Sequence, residues 1–226
     1  MELAGITKRF PGVVANHDIH LTVRKGTVHA LVGGENGAGK STLMKILYGM
    51  QKPDEGTIAV DGEQVAFHSP PADAIARGIG MVHQHFMLAD NLTVLENVVL
   101  GSEKLHGIGG AARRKIEEIS DRYGLGGVRP RRLVENLGVA DRQRVEILKV
   151  LYRGARTLIL DEPTAVLVPQ EVDALFANLR ELKSEGLSVI FISHKLGEVL
   201  AVADDITVIR RGTTVGTAVP SETTPR

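Results

Sequence analysis

Residues 30–49 read ALVGGENGAGKSTLMKILYG. Glycines stand at positions 33, 34, 37 and 39, and a helix-forming run follows at once. Glycine loses more conformational freedom on ordering than any other residue. Such a stretch between a strand and a helix reads as a backbone that curls around something, the alternative being a glycine-rich structural turn. Gly34–Ser41, GENGAGKS, fits the pattern G-x-x-x-x-G-K-[ST]. A curl of this kind needs positive φ and no Cβ in the way, so that the N–H groups of Gly34, Glu35, Asn36, Gly37, Ala38 and Gly39 can point inward at one anion. The helix that follows adds its unpaired N–H groups and the positive end of its dipole. Lys40 then reaches the β- and γ-phosphates of a nucleotide, the Ser41 hydroxyl ligates Mg²⁺, and Thr42 adds a phosphate contact. Gly33 makes the approach one residue longer than the pattern needs, an insertion that could shift the register of the preceding strand.

Short β-branched runs alternate with helical patterns elsewhere, as in α/β units around a largely parallel sheet. TVHALVG (27–33), TLILDEP (157–163) and LSVIFISH (187–194) read as buried strands, and Asp61-Gly62 as a hairpin turn. The run from Pro169 predicts a helix with Val172, Leu175, Leu179 and Leu182 on one face. The apolar run of LILDEP predicts a strand in the sheet centre, with Asp161 at its carboxyl end, where open α/β sheets bind ligands. There Asp161 can hold the magnesium hydration shell, and Glu162 can orient and deprotonate an attacking water. Residues 88–155 are mostly helical in pattern and read as a subdomain inserted into a core of residues 1–87 and 156–219. The polar end RRGTTVGTAVPSETTPR reads as a linker, or as a cut made in a longer chain, with residues 220–226 as a polar tail or linker.

The 226 residues are 43% apolar, and 27 basic residues balance 27 acidic ones, so charge alone points to neither nucleic acid nor an anionic membrane. The absence of cysteine excludes disulfides and thiolate metal sites and fits a reducing compartment. MELAGITKRF has no signal-peptide core, and no apolar stretch is long enough to span a bilayer. Any membrane role is thus expected to run through a partner chain.

Together these residues resemble the ATP-binding cassette ATPases over nearly the whole sequence. The resemblance implies a P-loop NTPase fold: a RecA-like core, an antiparallel β subdomain and an inserted helical subdomain. It matches Phe10 to the aromatic that stacks on adenine, Gln84 to the glutamine that senses γ-phosphate and magnesium, and His194 to the switch histidine. Lys40, Gln84, Glu162 and His194 are the implied catalytic set, and Ser41, Gln84 and Asp161 the magnesium set. His83 and His85 have no such match and read as structural. VHQHFMLADNLTVLENVVLG, with a helix start at Thr93, and RVEILKVLYRGARTLILDEPTAVLVPQEVDALF resemble the first cassette of tandem simple-sugar and nucleoside importers. The family's signature loop is degenerate here: Leu137, Gly138, Val139, Ala140 and Asp141 stand where L-S-G-G-Q or L-S-V-G-E is expected. Gly138 cannot supply the serine hydroxyl that caps ATP on an opposite cassette. The implied partners are transmembrane permease subunits, a second cassette and, indirectly, a solute-binding protein, with no nucleic acid. The implied place is the cytoplasmic face of the cell membrane. Competing readings are a soluble cassette ATPase acting on nucleic acid or the ribosome, and a nucleotide-binding regulatory module with little turnover.

Overall fold

The computed structural model describes residues 1–34, 39–66 and 71–222. Two sheets share the chain. The antiparallel one has the order β2-β1-β4-β5, from β1 (Glu2–Phe10), β2 (Val13–Thr22), β4 (Glu55–Val60) and β5 (Glu63–Val65). The larger has the order β10-β9-β3-β8-β7-β6, from β3 (Val28–Val32), β6 (Ile79–Val82), β7 (Thr157–Asp161), β8 (Ser188–Ser193), β9 (Asp205–Arg210) and β10 (Thr213–Ala218). All its pairs are parallel except β9–β10.

Side-chain alternation explains why β3, β7 and β8 are largely apolar: each feeds a core on both faces. Leu31, Ile159, Ile190 and Ile192 face one core with Leu43, Met44, Ile46 and Leu47 of helix α1 (Lys40–Leu47) and with Leu3, Ile6, Ile19 and Leu21 of the antiparallel sheet. Ala30, Leu158, Leu160, Val189 and Phe191 face the other. There they meet helices α6 (Val139–Tyr152) and α7 (Pro169–Ser184), with Phe191 edge-on to Phe176 at 6.0 Å between centroids. Helix α7 starts at Pro169 and buries Leu175, Leu179 and Leu182 as its periodicity indicates.

Between β6 and β7 the described elements are helical: α3 (Val94–Val99), α4 (Glu103–His106), α5 (Gly110–Arg122), a 3₁₀ turn at Val134–Asn136, and α6. Helix α3 begins where the sequence places it, with Thr93 and Glu96 forming a capping box. The remaining helices are α2 (Ala72–Ala76) and α8 (Leu196–Val202). Asp61 and Gly62, at φ 50° and 81°, make the expected hairpin turn, and Gly49, at φ 78°, closes α1.

Three expectations change. First, β7 is not central: it is the fifth of six strands, between β8 and the edge strand β6, while β3 and β8 hold the middle. Second, most of the polar end is not a linker. Arg211 and Gly212, at φ 49° and 76°, turn the chain back so that β10 pairs with β9, and Pro220–Glu222 forms a 3₁₀ turn. Backbone pairing at a sheet edge needs no apolar side-chain pattern, so hydropathy alone misses it. Third, β3 pairs with β8 and β9 in unbroken register, so Gly33 is accommodated beyond Val32 without disturbing the strand. Among the described residues no helix is long and apolar enough to cross a membrane.

Candidate active site

Parallel pairing sets Val32 opposite Ser193 and Asp161 opposite Ile192. The residues that follow, Gly33, Glu162 and His194, therefore emerge side by side at the carboxyl edge of the sheet. Lys40, the first residue of α1, is only 6% exposed and reaches back across this edge. Its Nζ donates to the Gly33 carbonyl at 2.9 Å and lies 3.4 Å from Glu162 Oε1. His194 Nδ1 is 3.1 Å from both Glu162 oxygens. Glu162 takes φ 46°, unusual for a residue with a Cβ, and its N–H donates to the Ile192 carbonyl at 3.1 Å. This sharp bend separates the direction of Glu162 from that of the strand.

Asp161 is partly buried, and its carboxyl is held above the usual carboxylate range, first by desolvation and then by the charge of Glu162. His83, Lys40 and Lys45 pull it the other way. At the N-terminus of α1, Gly39, at φ 86°, caps the helix without a side-chain hydrogen bond, and the first turn holds no acidic residue. An anion there meets unpaired N–H groups. Ser41 is exposed and Thr42 half-buried in that first turn, while Gly34 is exposed just past β3. The expectations for Glu35, Asn36, Gly37 and Ala38 fall outside the described residues.

The other predicted residues are spread around this centre. Phe10 ends β1 with its ring 36% exposed beside exposed Val13 and Val14, and Lys8 Nζ sits 5.6 Å from the ring centroid. Gln84 is exposed two residues beyond Val82, whose strand partner is Leu160. The signature segment stands at the start of α6. Gly138 is the N-cap of α6 and Val139, Ala140 and Asp141 form its first turn, with Asp141 paired to Arg144 at 3.0 Å. Leu137 is buried and Val139 exposed, and a Cβ built on Gly138 would meet nothing within 4 Å. His83 packs edge-on to Tyr48, with ring centroids 6.4 Å apart.

Sequence reasoning passed over several polar residues of α6. Buried Gln143 donates from Nε2 to the Pro163 carbonyl at 2.6 Å, directly after Glu162. Buried Glu146 accepts the Met87 N–H, and Lys149 donates to the Met87 carbonyl at 3.2 Å, three residues after Gln84. One helix thus ties down the segments beyond both strand ends. The available signal was Gln143 and Glu146 falling on the apolar face of α6, since buried polar groups persist where they have partners.

Among the described residues no group of three His, Cys, Asp or Glu side chains could hold a metal unaided. The donors Ser41 and Asp161, with Gln84 beyond the neighbouring strand, suit Mg²⁺, which takes one or two protein oxygens and completes its shell with waters and substrate phosphates. The ionised form of Asp161, disfavoured first by desolvation and then by the charge of Glu162, is one that a bound cation would stabilise.

Residues 16–165, well over half of the chain, match the ABC transporter family. The chain belongs to the ABC transporter family. This ABC transporter chain is 52% identical, over 96% of its length, to the nucleoside import ATP-binding protein NupA of Lactococcus lactis. It is equally 52% identical, over 96% of its length, to the ribose import ATP-binding protein RbsA 1 of Burkholderia thailandensis. It covers 43% of each of these two relatives, so it spans less than half of their length. Among solved structures it resembles cbiO1 of Clostridium perfringens, with a TM-score of 0.87 and 27% identity over 98% of this chain and 88% of that one. A nucleotide-free ATP-binding cassette from an ABC transporter gives a TM-score of 0.85 and 26% identity over 96% and 90%. The fold is that of the α/β P-loop NTPases.

Proposed function

We propose that this chain binds ATP at the N-terminal end of α1 and hydrolyses it as the ATP-binding part of an importer for simple sugars or nucleosides. The observation that carries the reading is the convergence of Lys40, Glu162 and His194 at the carboxyl edge of the sheet. The triphosphate competes with the Gly33 carbonyl and Glu162 for the Lys40 ammonium. Once Lys40 turns to phosphate, Glu162 keeps His194 as its partner and is free to orient water and accept its proton. Lys40, His194 and the N–H groups of α1 stabilise the charge that develops on the transferred phosphoryl group. Ser41 and Asp161 would hold Mg²⁺, which supplies charge neutralisation at the phosphates when bound, with Gln84 as the sensor beside it. Thr42 adds a phosphate contact, and the half-exposed Phe10 ring offers a face to adenine.

In this reading residues 1–87 and 156–219 form the nucleotide core, and residues 88–155 form the arm that meets permease subunits at the cytoplasmic face of the membrane. Solute choice lies with those permeases and a solute-binding protein. The segment Leu137–Asp141 caps ATP on a second cassette, and that capped site is the weaker of the two because Gly138 has no hydroxyl. The missing hydroxyl also favours a second reading, a regulatory module that binds ATP with little turnover; the intact Glu162–His194 contact favours turnover.

An ATP titration of the chain against Lys40→Ala tests the proposal. Losing a hydrogen bond to a charged phosphate costs about 1.5–3 kcal/mol, so ATP should bind roughly 10- to 150-fold more weakly. Undiminished affinity would overturn the reading.

A further inference from the structure

Asn16 lies on β2, is not among the residues given a nucleotide contact above, and is 0% exposed. Its Nδ2 donates to the carbonyl of Gly39 at 3.0 Å. The same carbonyl accepts the Leu43 N–H at 3.0 Å, the first hydrogen bond of α1. Two donors converging on one oxygen fix the plane of the Gly39–Lys40 peptide. In a trans peptide the N–H points opposite to the C=O. Bracing the carbonyl against β2 and α1 therefore aims the Lys40 N–H outward, toward where an anion approaches the helix.

The surroundings leave Gly39 nowhere else to go. A Cβ on Gly39 would lie 2.4 Å from the Ala15 carbonyl oxygen, 2.5 Å from Asn16 Nδ2 and 3.3 Å from Gly212 Cα. A Cβ built on Gly212, in the β9–β10 turn, would likewise lie 2.5 Å from the Ala15 carbonyl oxygen, and the Gly212 carbonyl accepts the His17 N–H at 2.8 Å. Strand β2, the β9–β10 turn and Gly39 form one three-way junction.

Stability alone does not explain an asparagine here. Among the described residues its buried Oδ1 has no hydrogen-bond partner, and an unpaired buried acceptor is destabilising. An apolar side chain of similar shape would avoid that cost but could not hold the Gly39 carbonyl.

We infer that Asn16 is a positioning residue that aims the Lys40 N–H at a bound phosphate. The inference rests on the reading of Gly34–Ser41 as a phosphate loop. The test is Asn16→Leu in the whole chain, read by melting without nucleotide and by ATP titration, with Lys40→Ala alongside. The melting temperature should be unchanged or higher, while ATP binds about tenfold more weakly, the loss of most of one phosphate hydrogen bond. If the leucine branch does not fit, Asn16→Met, unbranched and adaptable, is read in the same way. ATP affinity within about twofold of the parent in a folded variant overturns the inference. So does weaker ATP binding with a melting temperature several degrees lower, because a loosened β2 would then account for both. If Lys40→Ala also keeps its ATP affinity, the phosphate-loop reading fails; if only the Asn16 variant keeps it, the Asn16 inference fails alone.

Discussion

Exchanging Glu162 for glutamine removes one charge while preserving side-chain shape, and the structure lets its consequences be worked through. Glu162 lies 3.4 Å from Lys40 Nζ, with side chains 14% and 7% exposed, and contacts His194 through both oxygens. At an effective dielectric near 20 the Lys40–Glu162 attraction is about 5 kcal/mol before any cost is subtracted. Desolvation of both groups opposes it, as does repulsion from Asp161, whose carboxyl pKa is raised first by its own desolvation and then by the charge of Glu162. The amide removes the attraction and the repulsion together. Stability without nucleotide should then change by no more than about 1 kcal/mol, or roughly 2–4 °C in Tm for a chain of this size. Catalysis has no such cancellation. An amide cannot take a proton from water, so turnover should fall about 10²- to 10⁴-fold. ATP affinity should be retained or improved, because a carboxylate facing the γ-phosphate has been neutralised. Melting curves and ATP titrations test the first and last statements, and phosphate release by the complex this chain is proposed to form tests the second. Turnover within about tenfold of the parent would refute the role of Glu162 as base. If Gly138→Ser at the same time raised turnover strongly, the competent site would be the one capped by Leu137–Asp141.

Two further outcomes follow from residues around the centre. Gln143→Leu leaves the Pro163 carbonyl buried without its donor at a cost of roughly 2 kcal/mol, a Tm lower by about 4–8 °C, and a shift under about 1 °C would show that the tether matters little. His29 is buried with Nε2 2.7 Å from Thr207 Oγ1, and desolvation holds its pKa below the usual 6.5, against the opposing pull of Asp205. The folded chain then binds fewer protons than the unfolded one, so this contribution is fully present above pH 6.5 and is lost as pH falls below that value. Stability measured from about pH 7.5 to 5.5 should fall less steeply in His29→Asn, and parallel curves would contradict the assignment.

Much of the fold is legible locally. Apolar strand runs, Asp61-Gly62, Gly49, Pro169 and the Thr93–Glu96 cap each act within a few residues, so pattern alone locates them. The short end strand Thr213–Ala218 is not legible in this way, because it exists by pairing with β9 and not by its own hydropathy. The site divides along the same line. Lys40, Asp161 and Glu162 announce themselves by spacing and by their place at a strand end. The roles of Gln143, Glu146 and Asn16 depend on partners 20, 59 and 23 positions away in the chain.

The sequence by itself determined which groups could meet a phosphate: a glycine-rich bend, a lysine at a helix start and an acidic pair closing an apolar run, all set by spacing along the chain. Only the tertiary structure decided that Lys40, Glu162 and His194 share one edge, and that α6 and β2 hold that edge in place. The register between parallel strands and the burial of polar side chains are agreements between distant segments, and no local pattern encodes both halves of such an agreement.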